Sequence, residues 1–466
     1  MNREHFDLIV IGAGSGARDG ANKAAREYGA KVALVERVRW GGSCPNVACK
    51  PTKAYLVSAE LVHDINELAE LLGIEVPGPA KANLAKVHAR KQQLIKSQPK
   101  WVEDLNSAGF TTVEGEATFV DPQTIRVGER ELTAERILIA TGSRTAVPPV
   151  EGIDEVGWID HISALEVTEL PESLLVLGGG AVGLEFGQTF ARFGSKVTIV
   201  DALERISARS DADATAELSA ALEDEGIELV MNTFVKSVRK EDGRIVATLA
   251  PRDGGPEREL RIAQILLCSG RVPNIEELNL EAAGVETTKL GIAVDEHMRT
   301  STPGIWAAGD VTAIAQFTPI AQYQARVAVD DMFGSNGAVA DYTYLPTATF
   351  TDPELAGIGL TEEEAREQEL DYETVIHELK YVQRASYTNT KHGLYKIVFD
   401  QTSRKVLGVH VVARGASDML HTLAVAMRLG ATVDDLATTH HAFPTIGEGL
   451  KAAAEKAKAG VPMGTG

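Results

Sequence analysis

The sequence predicts an α/β protein with two doubly wound units and a C-terminal α+β segment. Three observations carry that reading. Glycine-rich strand-to-helix turns occur at Gly12 and again at Gly178, each is followed by an acid closing the next apolar strand, and beyond Tyr342 strands and helices continue without such a turn.

A chain of 466 residues exceeds what one hydrophobic core supports, so roughly two to four domains are expected. Hydrophobic residues at 44% and charged ones at 24% match ordinary globular proteins, and no low-complexity tract interrupts them. The formal charge of −20 argues against a nucleic-acid partner, which would require a concentrated basic surface. Met1 to Phe6 is polar, and the apolar run Leu8 to Ile11 is too short for a signal-peptide core or a membrane span. A cytoplasmic protein without membrane contact is expected. Three cysteines cannot staple a secreted scaffold of this size, so the close pair Cys44 and Cys49 needs a chemical explanation.

The first unit runs from a strand over Phe6 to Ile11, through Gly12-Ala13-Gly14-Ser15-Gly16-Ala17, into a helix ending near Tyr28 and a strand over Lys31 to Val35. Gly12 permits the tight turn, Gly14 lets the backbone approach a pyrophosphate, and Ala17 takes the third, packing position. The helix N-terminus then faces the phosphates. Glu36 closes the second strand, where a carboxylate would accept hydrogen bonds from a ribose hydroxyl. The pattern is that of a Rossmann-like dinucleotide site.

A second unit has a strand over Leu174 to Leu177, the turn Gly178-Gly179-Gly180-Ala181-Val182-Gly183, a helix through Arg192 and a strand over Lys196 to Val200. Asp201 ends that strand. A carboxylate there accepts a free 2′-hydroxyl and repels a 2′-phosphate, which favours NADH, while Arg205 and Arg209 leave NADPH open. A solvated loop acid is the bland alternative for Asp201.

Between the units lies Gly41-Gly42-Ser43-Cys44-Pro45-Asn46-Val47-Ala48-Cys49-Lys50-Pro51-Thr52-Lys53. On a regular helix the two cysteines would stand about 140° apart, so bridging them requires local distortion, and a strained disulfide is easier to reduce. Two cysteines without a second pair or nearby histidines cannot complete a zinc site. Redox exchange explains the pair better than two structural thiols.

At these residues the chain resembles the class I flavoprotein disulfide reductases, the family of dihydrolipoamide dehydrogenase, glutathione reductase and mercuric reductase. The resemblance also covers Ala140-Thr141-Gly142, Gly270-Arg271 with Pro273-Asn274, Ala308-Gly309-Asp310 and a stretch from Pro346 to Glu448. It implies that the first unit binds FAD, that Cys49 lies against the flavin as the charge-transfer thiolate, and that Cys44 exchanges with substrate. Gly42, Ser43, Gly115, Thr141, Gly142, Ser143 and Asp310 match flavin contacts, and Gly270 matches a further cofactor-binding position. Lys53, one helical turn beyond Cys49, would favour the thiolate and the reduced flavin, with Glu185 as its acidic partner; a plain surface pair is the alternative. Thr318-Pro319 reads as an N-cap and first helical residue opening a helix whose positive end faces the flavin. Lys50 adds a positive charge beside Cys49, and Cys268 reads as core.

These motifs divide the chain into a FAD domain (1–150 and 271–341), a nicotinamide domain (151–270) and a dimerisation domain (342–466). A homodimer is expected, each active site completed by the partner's C-terminal segment. Phe443-Pro444, Glu448-Gly449-Leu450-Lys451 and Gln188-Thr189-Phe190-Ala191-Arg192 look nearest to mercuric reductase. Two departures stand against it: no cysteine follows Cys268, where mercuric reductases resemble one another in a C-terminal pair, and the extra N-terminal metal-binding domain of some of those enzymes is not expected here.

In His440-His441-Ala442-Phe443-Pro444-Thr445-Ile446-Gly447-Glu448, Phe443 stands where the family carries an active-site histidine. Phenylalanine cannot carry a proton. Glu448, with its pKa raised by an apolar loop, or a displaced His441 could serve instead. The expected function is transfer from nicotinamide through FAD and Cys44–Cys49 to a small-molecule or metal-ion acceptor, such as Hg(II) or another electrophile. A dihydrolipoamide dehydrogenase-type enzyme and a flavin redox sensor with little turnover are the alternatives.

Overall fold

A computed structural model of the chain describes residues 2–334 and 337–458. The last part of the expected dimerisation domain, 459–466, lies outside the described residues. The chain divides into two compact units. One comprises Met1–Thr52, Ala89–Ala146 and Gly270–Asp341, and the other Lys53–His88, Val147–Ser269 and Tyr342–Gly466. Residues 53–88, read from sequence with the flavin segment, group with the second unit because Tyr55, Ala59 and Leu84 pack into its core with Leu165, Leu184 and Phe190. The Tyr55 hydroxyl also donates to the Leu165 carbonyl at 2.9 Å.

In the first unit a parallel sheet takes the order Ile305–Ala307, Ile137–Ile139, Leu8–Ile11, Val32–Glu36, Thr111–Glu114. Leu8–Ile11 is buried at every position, as expected for a central parallel strand covered on both faces. The helix Ser15–Tyr28 follows and stops at Gly29, whose left-handed backbone (φ 66°) returns its N–H to the Ala24 and Ala25 carbonyls. That helix lies close against Thr318–Phe333. A Cβ at Gly16 would fall 2.6 Å from the Ala321 carbonyl oxygen, so the backbones approach more closely than any larger residue allows.

In the second unit the parallel sheet runs Glu228–Val230, Lys196–Val200, Ser173–Leu177, Gln264–Leu267. A five-stranded antiparallel sheet, Thr347–Thr349, Glu354–Gly359, Val406–Ala413, Leu394–Asp400, Tyr372–Glu378, forms the C-terminal segment with helices Ala416–Arg428 and Glu448–Lys458. Lys396, on a central strand of this sheet and 1% exposed, sends its ammonium to Asp211 at 3.0 Å, Asp213 at 2.5 Å and Glu362 at 2.6 Å. Asp211 also caps the helix Ala212–Asp224 by accepting from the Asp213 N–H. Burial alone would make the lysine neutral; three carboxylates outweigh that and push its pKa up.

Candidate active site

The first glycine turn leaves the central strand of its sheet. Gly12 has φ 107°, and a Cβ there would sit 2.3 Å from the Ala140 oxygen. Gly14 is the opposite case: nothing lies within 4 Å of where its Cβ would be, and no side chain caps the helix it opens. An uncapped helix N-terminus facing open space is what a pyrophosphate requires. Ala17, 1% exposed, fills the packing position. Glu36 Oε2 accepts the Ala13 N–H at 2.9 Å and Oε1 accepts the Val38 N–H at 2.8 Å, so the acid ties the turn to the end of the next strand. A cleft opens beside it, lined by residues that include Gly12, Glu36, Gly115, Thr141 and Asn274. It lies at the carboxyl ends of the strands, the place where parallel sheets receive ligands. These features fit a dinucleotide.

Three distant motifs meet at the edge of that unit. Arg271–Pro273 pairs antiparallel with Ser143–Thr145. The Ser143 hydroxyl donates to Asp310 Oδ2 at 2.6 Å and accepts from Arg271 Nε at 2.7 Å. Thr141 Oγ1 donates to the Asn274 carbonyl at 2.7 Å, Asn274 returns a bond to the Thr141 carbonyl at 3.0 Å, and the Asn274 N–H reaches the Gly142 carbonyl.

Cys44 and Cys49 do not share a regular helix. Cys44 lies in the short helix Ser43–Asn46, the helical path breaks at Val47 (φ −141°, ψ 6°), and Cys49 begins Cys49–Leu68. The loop before them is crowded: Gly42 has φ 73°, and a Cβ on it would fall 2.4 Å from Gly14 Cα. Cys49 is exposed, with its sulfur 3.6 Å from Thr318 Oγ1. Thr318 is not the N-cap expected from sequence. Phe317 is the cap, with extended backbone and no side-chain bond, and Thr318 is the first helical residue. Pro319 falls within the first turn, where its missing N–H costs nothing, and the Thr318 hydroxyl lies against the Cys49 sulfur.

Sequence reasoning missed the residues that hold the cysteine loop. Buried Asn46 donates to the Trp40 and Gly42 carbonyls at 3.0 and 2.7 Å, and Gln98 accepts the Trp40 N–H at 2.7 Å. Trp101 covers Gly41, with the Arg18 guanidinium 4.5 Å and the Lys96 ammonium 4.3 Å from its ring centroid. Burial lowers the pKa of Arg18, with the charges of Cys44 and Asp19 acting against that. Gly41 was the available signal, since a glycine with φ 92° marks a close neighbour, but not which one.

Lys53 follows Cys49 by one turn on the same helix. Its ammonium lies 2.7 Å from Glu185 Oε2, and the glutamate is buried at 6% exposure. That burial sets aside the plain surface pair. The Phe350 ring centroid lies 4.2 Å from Lys53 Nζ, and the Phe350 N–H donates to Glu185 Oε1 at 3.0 Å. Lys50 is exposed.

The second turn repeats the first. A Cβ on Gly178 would fall 2.4 Å from the Cys268 oxygen and one on Gly183 1.9 Å from the Gly178 oxygen, whereas Gly180 faces open space and opens the uncapped helix Ala181–Phe193. Asp201 accepts the Gly179 N–H at 2.6 Å and the Leu203 N–H at 2.8 Å. It is part of the turn. Arg205 is held by Glu363 and the Ala208 carbonyl. Burial raises the pKa of the Cys268 thiol, which packs against the core and keeps it unreactive.

In the C-terminal loop Phe443 is 73% exposed and precedes a cis proline. His441 Nδ1 lies 3.2 Å from the Gly447 carbonyl, Glu448 Oε2 accepts the Thr445 N–H at 3.0 Å, and Tyr395 donates to the Ile446 carbonyl. His441 and Glu448 each bond within the loop. Among the described residues no group of three or more His, Cys, Asp or Glu could hold a metal ion, and no helix is long and apolar enough to cross a membrane.

Two parallel sheets, each opening on a glycine turn tied back by an acid, with an antiparallel C-terminal segment, define an α/β oxidoreductase of two dinucleotide sites. Residues 6–325 match the family described as pyridine nucleotide-disulphide oxidoreductase, and residues 345–454 match its dimerisation domain. The chain belongs to that family, which is FAD-dependent and uses NAD(P)H. It is 37% identical over 457 residues to a mercuric reductase of Streptomyces lividans, covering 97% of this chain and 96% of the relative. It is also 37% identical over 455 residues to a dihydrolipoyl dehydrogenase of Thermus scotoductus, covering 97% of each. The HOCl-induced flavoprotein disulfide reductase RclA of Escherichia coli, solved as its Cu(II) complex, superimposes with a TM-score of 0.86 at 28% identity, covering 98% of this chain and 99% of that one.

Proposed function

We propose that this oxidoreductase carries electrons from NADH to an acceptor that needs no proton from the C-terminal loop, a thiophilic metal ion such as Hg(II) or another electrophile. The observation that carries the reading is Phe443 in the family's histidine position, with Glu448 and His441 hydrogen-bonded to their own loop. Thiol–disulfide exchange needs a proton carrier, worth about 10²–10⁴-fold in rate. Delivery of a soft metal ion to paired thiolates does not.

FAD would be held by Gly12, Gly14, Glu36, Gly42, Ser43, Gly115, Thr141, Gly142, Ser143, Asp310 and Thr318, where it supplies a two-electron relay. NADH would be held by Gly178, Gly180, Gly183 and Asp201, with Gly270 also contributing to cofactor binding. Cys44 meets the acceptor, Cys49 faces the flavin, and Lys53 with Glu185 supports negative charge there. The three-domain division fits these roles, and two copies associate through the segment from Tyr342. A monomeric mass at full activity would contradict the dimer.

The deciding experiment is rapid mixing of two-electron-reduced enzyme with lipoamide, small disulfides, Hg(II), quinones and oxygen in turn. Fast reoxidation by a metal ion or quinone and slow reoxidation by disulfides is expected. Fast turnover with lipoamide, lost in His441→Ala, would instead establish a displaced base and a dihydrolipoamide dehydrogenase-type enzyme.

A further inference from the structure

We propose that Phe350 is a positioning residue for the Lys53–Glu185 pair, its ring holding the ammonium and its backbone N–H fixing the carboxylate. The inference rests on the reading of Lys53 and Glu185 as the flavin-side pair and deepens it.

Glu185 is buried, and a buried carboxylate needs partners for both oxygens. Oε2 takes the Lys53 ammonium at 2.7 Å and Oε1 takes the Phe350 N–H at 3.0 Å. Lys53 is half-buried, with its Nζ 4.2 Å from the centre of the Phe350 ring, well inside the range of cation–π attraction. One residue therefore contacts both members of the pair.

Packing does not account for the ring. Phe350 is 37% exposed and, among the described residues, belongs to none of the apolar cores. Its loop is nevertheless held firmly. Glu185, Gln188 and Arg192 lie on one face of Ala181–Phe193. Gln188 accepts the Asp352 N–H at 2.8 Å and donates to its carbonyl at 2.7 Å, and Arg192 reaches that carbonyl and the Asp352 carboxylate, each at 3.1 Å. The same helix that carries Glu185 thus fixes Phe350 over Lys53. The position of the Lys53 ammonium is set by a loop of the C-terminal segment.

The test uses holoenzyme of the wild type and of Phe350→Leu, Phe350→Tyr, Lys53→Met and Lys53→Met/Phe350→Leu. Leucine removes the ring but keeps the N–H. In reductively ¹³C-methylated protein, the Lys53 signal, identified by its loss in Lys53→Met, should be displaced upfield by the ring. It should return to the position of the other lysines in Phe350→Leu and stay displaced in Phe350→Tyr. Anaerobic flavin reduction by NADH should slow about 3- to 10-fold in Phe350→Leu and recover in Phe350→Tyr. The double variant should match Lys53→Met alone. A Lys53 signal indifferent to Phe350→Leu, or the same fold-loss in the Lys53→Met background, overturns the proposal. If Lys53→Met itself leaves flavin reduction at the wild-type rate, the role given to the pair fails, and this inference with it.

Discussion

The carboxylate of Glu448 accepts the backbone N–H of Thr445 at 3.0 Å, closing a turn around Ile446 and Gly447. In the family resemblance that glutamate orients an imidazole five residues before it. Here the position holds Phe443, and the carboxylate is bound to its own loop.

Restoring the imidazole should restore proton transfer. Phe443→His is expected to raise turnover with lipoamide or glutathione disulfide by about 100-fold, the lower end of what a positioned general acid supplies. Activity with a metal-ion acceptor should change little. Steady-state rates with both acceptors check this, and an unchanged disulfide rate would remove the argument from Phe443.

The two cysteines should be separable by absorbance. One equivalent of NADH added anaerobically should raise a long-wavelength thiolate-to-flavin band. Cys49→Ser should abolish it, and Cys44→Ser should show it without reductant. A band surviving in Cys49→Ser would reverse the roles of the sulfurs.

Asp201 holds the second turn by the Gly179 and Leu203 N–H groups, and in the proposed reading its negative charge repels a 2′-phosphate. NADH should exceed NADPH in kcat/KM. Asp201→Asn should narrow that preference, at the expense of NADH binding. The opposite order in the wild type would show that the acid does not select the nicotinamide.

Asp352 links stability to pH. Burial alone would raise its pKa, but Arg414 and Arg192 outweigh that and hold it below the usual carboxylate range. A depressed acid stabilises the fold above its unfolded value, near 3.9, and loses that contribution as pH falls through the folded pKa. Asp352→Asn should therefore cost about 2–4 kcal/mol at pH 7, since Arg192 is 5% exposed and loses a partner. Its deficit relative to wild type should shrink below about pH 4. Urea midpoints across that range give the result; a deficit independent of pH would assign the loss to shape alone.

The glycine turns were legible because their constraint is local. A strand, a residue with positive φ and a helix start must follow one another in sequence, and both turns and their acids stand where the spacing placed them. The acids also bond their own turns, which spacing cannot reveal. Thr318 was displaced by one residue because a Thr-Pro pair suits both a cap and a first turn. Gly16 was illegible as a packing residue, since the helix it admits begins some three hundred positions later. Trp101 and Phe350 were missed for the same reason: each acts on residues far away in sequence, and nothing in its own neighbourhood announces the partner.

The Lys396 cluster bears on modularity. Two of its acids, Asp211 and Asp213, come from the segment that follows the second glycine turn, and the cation comes from the antiparallel sheet. The graft point suggested by sequence motifs near Tyr342 cuts this set in half. A chimaera that exchanges only the C-terminal segment for a relative's would bury Asp211 opposite whatever replaces the lysine. A chimaera of this chain should therefore move Asp211, Asp213, Glu362 and Lys396 as a group.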